Sequence, residues 1–347
     1  MDPCDVLVVI VNYRSAALTL RALASLETER AQPELRLRAV VVENDSGDAE
    51  QLAQGIRERF SDFAELVISP VNGGFGAGNN LGIRTAVERG YAFDYVQLLN
   101  PDTEARPGAL TALARFLNEH PRAGLASGSF EHQDGTPWTI AFRFPSAAGE
   151  FEAGAQLGLV SRLLKRRAVP REMGSEPAQI DWCAGASLML RREVLEQVGG
   201  FDEAFFLYYE EVDLCRRIRA AGWECWYVPE SRVMHVRGQS TGVTALDQKP
   251  RRLPGYWFES RRRYFVKHHG AGYTALADLA SLLGHGLGTL KQRLRGQPGT
   301  PYLLRDLLAH SVLRPTRRAP LEAARCYVPT PAPARRSPRA SPAIVAL

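Results

Sequence analysis

Carboxylates, amides and one histidine stand at the ends of apolar, β-branched runs in this chain, where an α/β sheet would gather them. The run Val6 to Val11 ends in Asn12-Tyr13, a second ends in Glu43-Asn44-Asp45-Ser46, and a further one ends in Asn100-Pro101-Asp102. Downstream come Trp182-Cys183-Ala184-Gly185, the acidic stretch Tyr208-Tyr209-Glu210-Glu211-Val212-Asp213, and His235 within an apolar run. Single carboxylates among amides suit a hard, oxygen-seeking cation such as Mg²⁺ or Mn²⁺ better than zinc. Acids clustered at a helix start are candidates for catalysis. The glycine run Asn72-Gly73-Gly74-Phe75-Gly76-Ala77-Gly78-Asn79-Asn80 would let backbone amides approach a ligand, with Asn79 or Asn80 opening a helix. Each feature also has a plain structural reading. Asn-Pro opens β-turns, first-turn acids oppose the helix dipole, Asp213 can pair with Arg217 at i,i+4, and a lone histidine on an apolar strand usually packs in a core.

Elements that position these residues alternate, as in a mostly parallel sheet covered by helices. Strands are predicted at Asp5–Val11, Leu37–Glu43, Glu65–Ser69 and Tyr95–Leu99 and near Leu125, with helices at Ala16–Glu29, Ala49–Phe60, Leu81–Arg89 and Gly108–Glu119. Residues 130–180 read as an irregular insertion. A strand at Trp182–Leu190, a short helix after Arg192, a helix from about Glu211 to Ala221, and strands at Cys225–Val228 and Val233–Val236 follow. In an open α/β sheet, ligands bind beyond the carboxyl ends of the strands, where the residues above lie. The first turn, Asn12-Tyr13-Arg14-Ser15, lacks the GxGxxG of dinucleotide sites, and no GKS or GKT phosphate loop occurs.

With 347 residues, 45% hydrophobic and 23% charged, the chain has ample sequence for a full core and is neither collagen-like nor a disulfide mini-scaffold. Its net charge of +5 is unevenly spread: residues 1–248 carry −9, residues 249–295 carry +8 and residues 314–347 carry +6. An acidic amino-terminal part argues against a nucleic-acid partner; a polyanion or anionic membrane would meet the C-terminal part. Five scattered cysteines without a CxxC pair fit a reduced, cytoplasmic setting. The opening residues predict neither a signal peptide nor a spanning helix. Leu276, Leu279, Leu283, Leu287, Leu290 and Leu294 make an amphipathic stripe, weakened as a free helix by Gly284, Gly286 and Gly288. The stripe suits a surface-lying membrane anchor or a helix packed on the rest of the chain. The predicted organisation is a catalytic domain at 1–248, a basic helical extension at 249–313 and a disordered Arg/Pro-rich tail at 314–347.

Taken in order, NYR, ENDSGD, NGGFGAGNN, LLNPD, GASLMLRREVLEQVGGFDE, EEVDLCRRIRAAGW and VMHVRGQST give a pattern that resembles family 2 glycosyltransferases of the GT-A fold, over about residues 5–240. The resemblance implies a Rossmann-like, mostly parallel sheet with a smaller second sheet, and a nucleotide-sugar donor. It places Asn12, Tyr13 and Glu43 around the base, with Asn44, Gly74, Asn79, Asn100, Trp182 and Gly185 completing the donor site. It makes Asp102 and His235 ligands of a divalent metal, Mg²⁺ or Mn²⁺, and puts the catalytic base at Glu210 or Glu211, with Glu211 aligned to the Asp of the family's Glu-Asp pair. The pattern is most similar to rhamnosyltransferases, which implies an inverting transfer from dTDP-L-rhamnose to a cell-envelope polysaccharide or lipid-linked glycan, in the cytoplasm or on the inner face of the cell membrane. A UDP-sugar donor is the alternative. A sugar-nucleotide pyrophosphorylase would instead call for a GxGTR-like first loop, and an inert binding module would not need carboxylates at every chemical position.

Overall fold

A computed structural model describes residues 3–138, 141–235 and 251–314. The apolar run at the start forms the middle of β1 (Cys4–Asn12), which has parallel neighbours on both sides. β-Branched residues along its whole length suit a strand covered on both faces. In chain order there follow α1 (Ala16–Arg30), β2 (Leu35–Glu43), α2 (Ala49–Gly55, prolonged by a π-turn at Ile56–Phe60), β3 (Ala64–Ile68), α3 (Gly74–Glu88) and β4 (Tyr95–Leu99). Next come β5 (Thr103–Ala105), α4 (Ala109–Glu119), β6 (Ala123–Glu131), β7 (Pro137–Trp138), β8 (Ala141–Phe142), α5 (Ala147–Ala155), α6 (Gly158–Leu163), β9 (Pro170–Arg171) and β10 (Ala178–Ile180). The described chain closes with β11 (Trp182–Cys183), β12 (Ser187–Arg191), α7 (Arg192–Val198), α8 (Glu210–Ala220), β13 (Glu224–His235), α9 (Gly255–Leu294) and α10 (Leu303–His310).

Ten strands form one sheet along the path β10-β13-β6-β12-β4-β1-β2-β3, with β5 on β13 and β7 on β6. Strands β3, β2, β1 and β4 are parallel, so their carboxyl ends share one edge, where Asn12 stands opposite Glu43. Strand β12 is antiparallel to both β4 and β6. Beyond it β13 runs parallel to β6 and, at its far end, pairs His235 with Thr103 of β5. That pairing carries His235 to the turn after β4. A small antiparallel sheet, β11-β8-β9, stands apart. The expected α/β sheet, smaller second sheet and helical C-terminal segment are therefore all present.

Four local expectations are corrected. The glycine run is no loop before a helix at Leu81: α3 begins at Gly74 and contains Gly76, Gly78, Asn79 and Asn80. Close packing explains it, since a Cβ on Gly78 would meet Val11 at 2.6 Å and one on Gly82 would meet Val9 at 2.6 Å. The helix can lie on β1 only because these positions have no side chain. Trp182–Leu190 is not one strand but two, β11 in the small sheet and β12 in the large one. Residues 225–235 are one strand with a register shift between Tyr227 and Arg232, not two strands. Finally, 130–180 holds short strands and two helices. Val236, the 248/249 boundary and residues 315–347 lie outside the described residues.

Helix α9 is kinked at Gly270, whose φ of 75° is left-handed. Its first half packs under the loop that precedes α8, in a second apolar core of Ala147, Phe205, Val212, Tyr264, Phe265 and Ala277. Buried ion pairs join the same parts. Asp202 accepts from Arg263 at 2.9 Å and Lys267 at 2.8 Å, while Asp213 meets Arg217 at 2.8 Å, Lys267 at 2.7 Å and His268 at 2.8 Å. Burial alone would push the Asp213 carboxyl up, but the His268 hydrogen bond and the Arg217 and Lys267 charges hold it far below the usual range. Lys267 thus ties the C-terminal helix to α8.

Candidate active site

The strand ends, the start of α3 and the start of α8 surround a cavity of about 600 Å³. Tyr13, Asn44, Gly74, Asn100, Asp102, Gly185, Glu210, Glu211 and His235 line it, so nine sequence-predicted residues from seven separate motifs meet in one place. The other four, Asn12, Glu43, Asn79 and Trp182, stand behind the wall.

Local hydrogen bonds account for those four. Asn12 is fully buried, donating to Asp48 Oδ2 at 2.9 Å and accepting from Thr19 Oγ1 at 2.8 Å. The same Asp48 oxygen accepts from the Ser15 and Ala16 amides, so Asn12 fixes the turn that presents Tyr13. The Glu43 carboxylate folds onto its own turn, accepting from the Ser46 amide at 2.6 Å and the Asp45 amide at 3.1 Å. That turn orients Asn44, whose Nδ2 donates to Asn72 Oδ1 at 3.0 Å and to the Gly74 carbonyl at 3.2 Å. Asn79 donates back to the Phe75 carbonyl at 2.9 Å. The Trp182 indole donates to the Arg143 carbonyl and stacks at 4.3 Å on Phe142, which itself lines the cavity.

At Gly74, φ is 86° and an added Cβ would lie 1.8 Å from the Phe206 carbonyl oxygen, which accepts from the Phe75 amide at 3.2 Å. Only glycine permits this approach between the start of α3 and the loop leading to α8. Asn80 closes the same junction, accepting from the Phe201 amide and donating to the Phe201 carbonyl, both at 2.9 Å. Sequence reasoning had offered Asn80 only as a possible helix start. It also missed Tyr256 of α9, which lines the cavity beside Phe206 and Tyr208.

Asp102 and His235 face each other across the turn after β4, with His235 Nε2 3.1 Å from Asp102 Oδ1. Glu210 and Glu211 open α8 after two successive tyrosines in the left-handed region, Tyr208 at φ 69° and Tyr209 at φ 68°. Such conformations cost bulky residues on the order of 1–3 kcal/mol each, and they aim the first turn of α8 at the cavity. Among the described residues, the Oε2 atoms of both glutamates are buried without a hydrogen-bond partner. Burial pushes the Glu211 carboxyl up to about 7. Burial and the neighbouring Glu211 charge push Glu210 well above the ordinary value. Near neutrality one carboxyl of the pair therefore holds a proton while the other ionises.

Comparison with known proteins agrees with this geometry. The family described as "Glycosyltransferase like family 2" matches residues 3–253. The N-acetylglucosaminyl-diphospho-decaprenol L-rhamnosyltransferase of Mycobacterium tuberculosis is 31% identical over 92% of this chain and 97% of its own length. The rhamnosyltransferase WbbL of Escherichia coli is 27% identical over 47% of this chain and 60% of its own. Among solved structures, GalNAc-T7 with UDP, GalNAc and Mn²⁺ has a TM-score of 0.55 at 14% identity, covering 88% of this chain and 57% of that one. Mannosyltransferase PcManGT of Pyrobaculum calidifontis, with GDP-Man and Mn²⁺, has a TM-score of 0.50 at 16% identity, covering 88% and 79%. At such low identity the two structures bear on the fold, which is GT-A. By the extent of the family match and the near full-length relative, the chain belongs to glycosyltransferase family 2.

Proposed function

We propose that this glycosyltransferase moves L-rhamnose from dTDP-L-rhamnose to a hydroxyl of a lipid-linked glycan, inverting the anomeric centre. The observation that carries the reading is the convergence of a buried carboxylate pair and an Asp-His pair on one cavity, in a chain similar over nearly its whole length to an L-rhamnosyltransferase. A cavity of this size takes a small-molecule donor. The start of α3 turns the positive end of its dipole toward the same space, which favours a diphosphate.

Within that site Glu211 acts as the general base. Its carboxyl titrates near neutrality, so a large fraction is ionised where a hydroxyl must lose its proton. Glu210, whose carboxyl burial and the neighbouring Glu211 charge push up, orients the acceptor. One displacement at the anomeric carbon, on the face opposite the leaving diphosphate, gives inversion. Asp102 and His235 would hold a divalent metal: a carboxylate and an imidazole nitrogen lie 3.1 Å apart on the cavity wall, and oxygens of the donor would complete a hard ion's shell. When bound, such an ion supplies positive charge that stabilises the departing diphosphate. Asn12, Glu43, Asn79 and Trp182 serve the donor site by holding its walls. The four free thiols among the described residues, all buried, fit a reducing compartment, and a lipid-linked acceptor would bring the reaction to a membrane surface.

Purified protein, given dTDP-L-rhamnose or UDP-sugars together with a synthetic polyprenyl-diphosphate-linked N-acetylglucosamine, tests the reading. The expected result is deoxythymidine diphosphate release, with a product of opposite anomeric configuration by NMR. Turnover confined to a UDP-sugar would replace the donor. Donor binding without any turnover would make the chain an inert binding module.

A further inference from the structure

The second half of α9 wears its leucines on the outside. Leu276, Leu279, Leu283, Leu287, Leu290 and Leu294 are between 43% and 81% exposed. Their spacing confines them to an arc of about 80° along about 27 Å of helix. The buried side carries the smallest residues instead. Ala277, Ser281, Gly284 and Gly288 are buried; Gly284 and Gly288 abut α5 so tightly that a Cβ on Gly288 would meet the Gly154 carbonyl oxygen at 2.2 Å. The three glycines that weaken this helix in isolation thus include two that seat it. Since packing uses the small-residue face, it leaves the apolar stripe uncovered among the described residues.

Two more leucines extend the surface. Helix α6 exposes Leu159 at 68% and Leu163 at 75%, and the segment just before it is tied to α9, where Lys291 Nζ donates to the Gln156 carbonyl and Gln292 Nε2 to Gln156 Oε1 at 3.4 Å. Charge on this face is mostly positive, although the half-buried Glu152 accepts from Ser161 of α6 at 2.7 Å. Arg162, Lys165, Arg166 and Arg167 are exposed around α6, and Arg293 and Arg295 at the end of α9. Residues 156–168 contain no acid, and the single acid of residues 271–296, Asp278, is buried against Arg261 at 2.6 Å. Among the described residues no helix is long and apolar enough to cross a membrane. An apolar stripe rimmed mostly by cations matches acyl chains beneath anionic headgroups, with the helix lying in the interface plane. A partner protein's surface would have to supply both a long apolar groove and acids on its borders.

We propose that the α6–α9 face docks this protein on an anionic lipid bilayer. The benefit to catalysis rests on the lipid-linked acceptor proposed above, whereas the docking itself requires no turnover. Full-length protein is sedimented with vesicles of phosphatidylcholine alone or with about one third phosphatidylglycerol. Binding is expected to the anionic vesicles only and to weaken as salt rises. The double variant L283D/L287D should bind at least about tenfold more weakly, with its thermal unfolding and its donor binding unchanged. Equal vesicle binding by variant and wild type would overturn the proposal, as would wild-type binding indifferent to lipid charge. A wild-type dimer in light scattering that the double variant abolishes, without vesicle binding, would assign the face to a second copy. Leucine-dependent vesicle binding in a protein that transfers no sugar would sink the proposed function and leave the docking face standing.

Discussion

Replacing Glu211 by Gln removes a charge at nearly constant volume, and its two consequences run in opposite directions. Burial moves the Glu211 carboxyl up to about 7 from an ordinary value of 4.5. Below pH 4.5 both the folded and the unfolded chain hold this proton, and the group costs nothing. As pH rises toward 7, the unfolded chain ionises freely while the folded chain resists. Wild-type stability therefore falls with rising pH, by about 3 kcal/mol once pH exceeds the folded value. Glutamine does not titrate and escapes that loss. The stability of E211Q relative to wild type should thus improve by about 2–3 kcal/mol between pH 5 and pH 8, whatever the fixed cost of the new amide. Turnover moves the other way. At pH 6 only about one tenth of Glu211 is ionised, so wild-type kcat/KM there should be about one tenth of its alkaline plateau. E211Q should lose roughly a hundredfold or more and show no such rise. Urea unfolding of both proteins at the two pH values, with nucleoside diphosphate release measured across the range, reads both effects. A stability difference that ignores pH would refute the burial argument. Near-normal turnover in E211Q beside a collapse in E210Q would hand the base to Glu210.

Removing the ion with EDTA, or the D102A substitution, should abolish transfer and weaken donor binding by calorimetry while leaving the unfolding transition in place; full activity in EDTA would reduce Asn100-Pro101-Asp102 to a turn. The substitution G74A places a methyl 1.8 Å from the Phe206 oxygen at a φ of 86°, and should destabilise by more than about 2 kcal/mol and cut turnover sharply, read by thermal unfolding and donor titration. The substitution D213N strips a fully buried partner from Arg217, Lys267 and His268, and should cost about 3–5 kcal/mol in urea unfolding. An effect under about 1 kcal/mol would show that water reaches this cluster.

The edge of the sheet that carries the site was legible because period and punctuation agree there. Apolar runs ending in Asn12, Glu43 and Leu99 could only be parallel strands with polar residues at one edge. The convergence of Asp102 and His235 was not a matter of local pattern. It depends on β13 pairing with β5, and only the ordered motifs pointed to it. The start of α3 was misread because helix propensity penalises isolated glycine and is blind to the approach of Val11 and Phe206, which demands it. Tyr256 in the cavity wall left no local trace, since its place follows from how α9 folds back. The leucine stripe was ambiguous for a different reason: a helical period reveals two faces, and only packing decides which one is buried. Asn12 and Glu43 had the right neighbourhood, yet Asp48 and Thr19 took up the Asn12 amide, and the amides of its own turn took up the Glu43 carboxylate.

The position of β12 sets the order in which a growing chain can finish. It lies between β4 and β6 in the sheet but follows β6 by more than fifty residues in sequence. Until Ser187–Arg191 leaves the ribosome, β4 and β6 each present an open edge of unpaired backbone groups, and the nascent sheet exists as two fragments. A chain stalled in this interval is exposed to pairing with its neighbours. The glutamates of α8 and His235 of β13 follow β12 in sequence, so a chain that ends before them lacks part of the cavity wall.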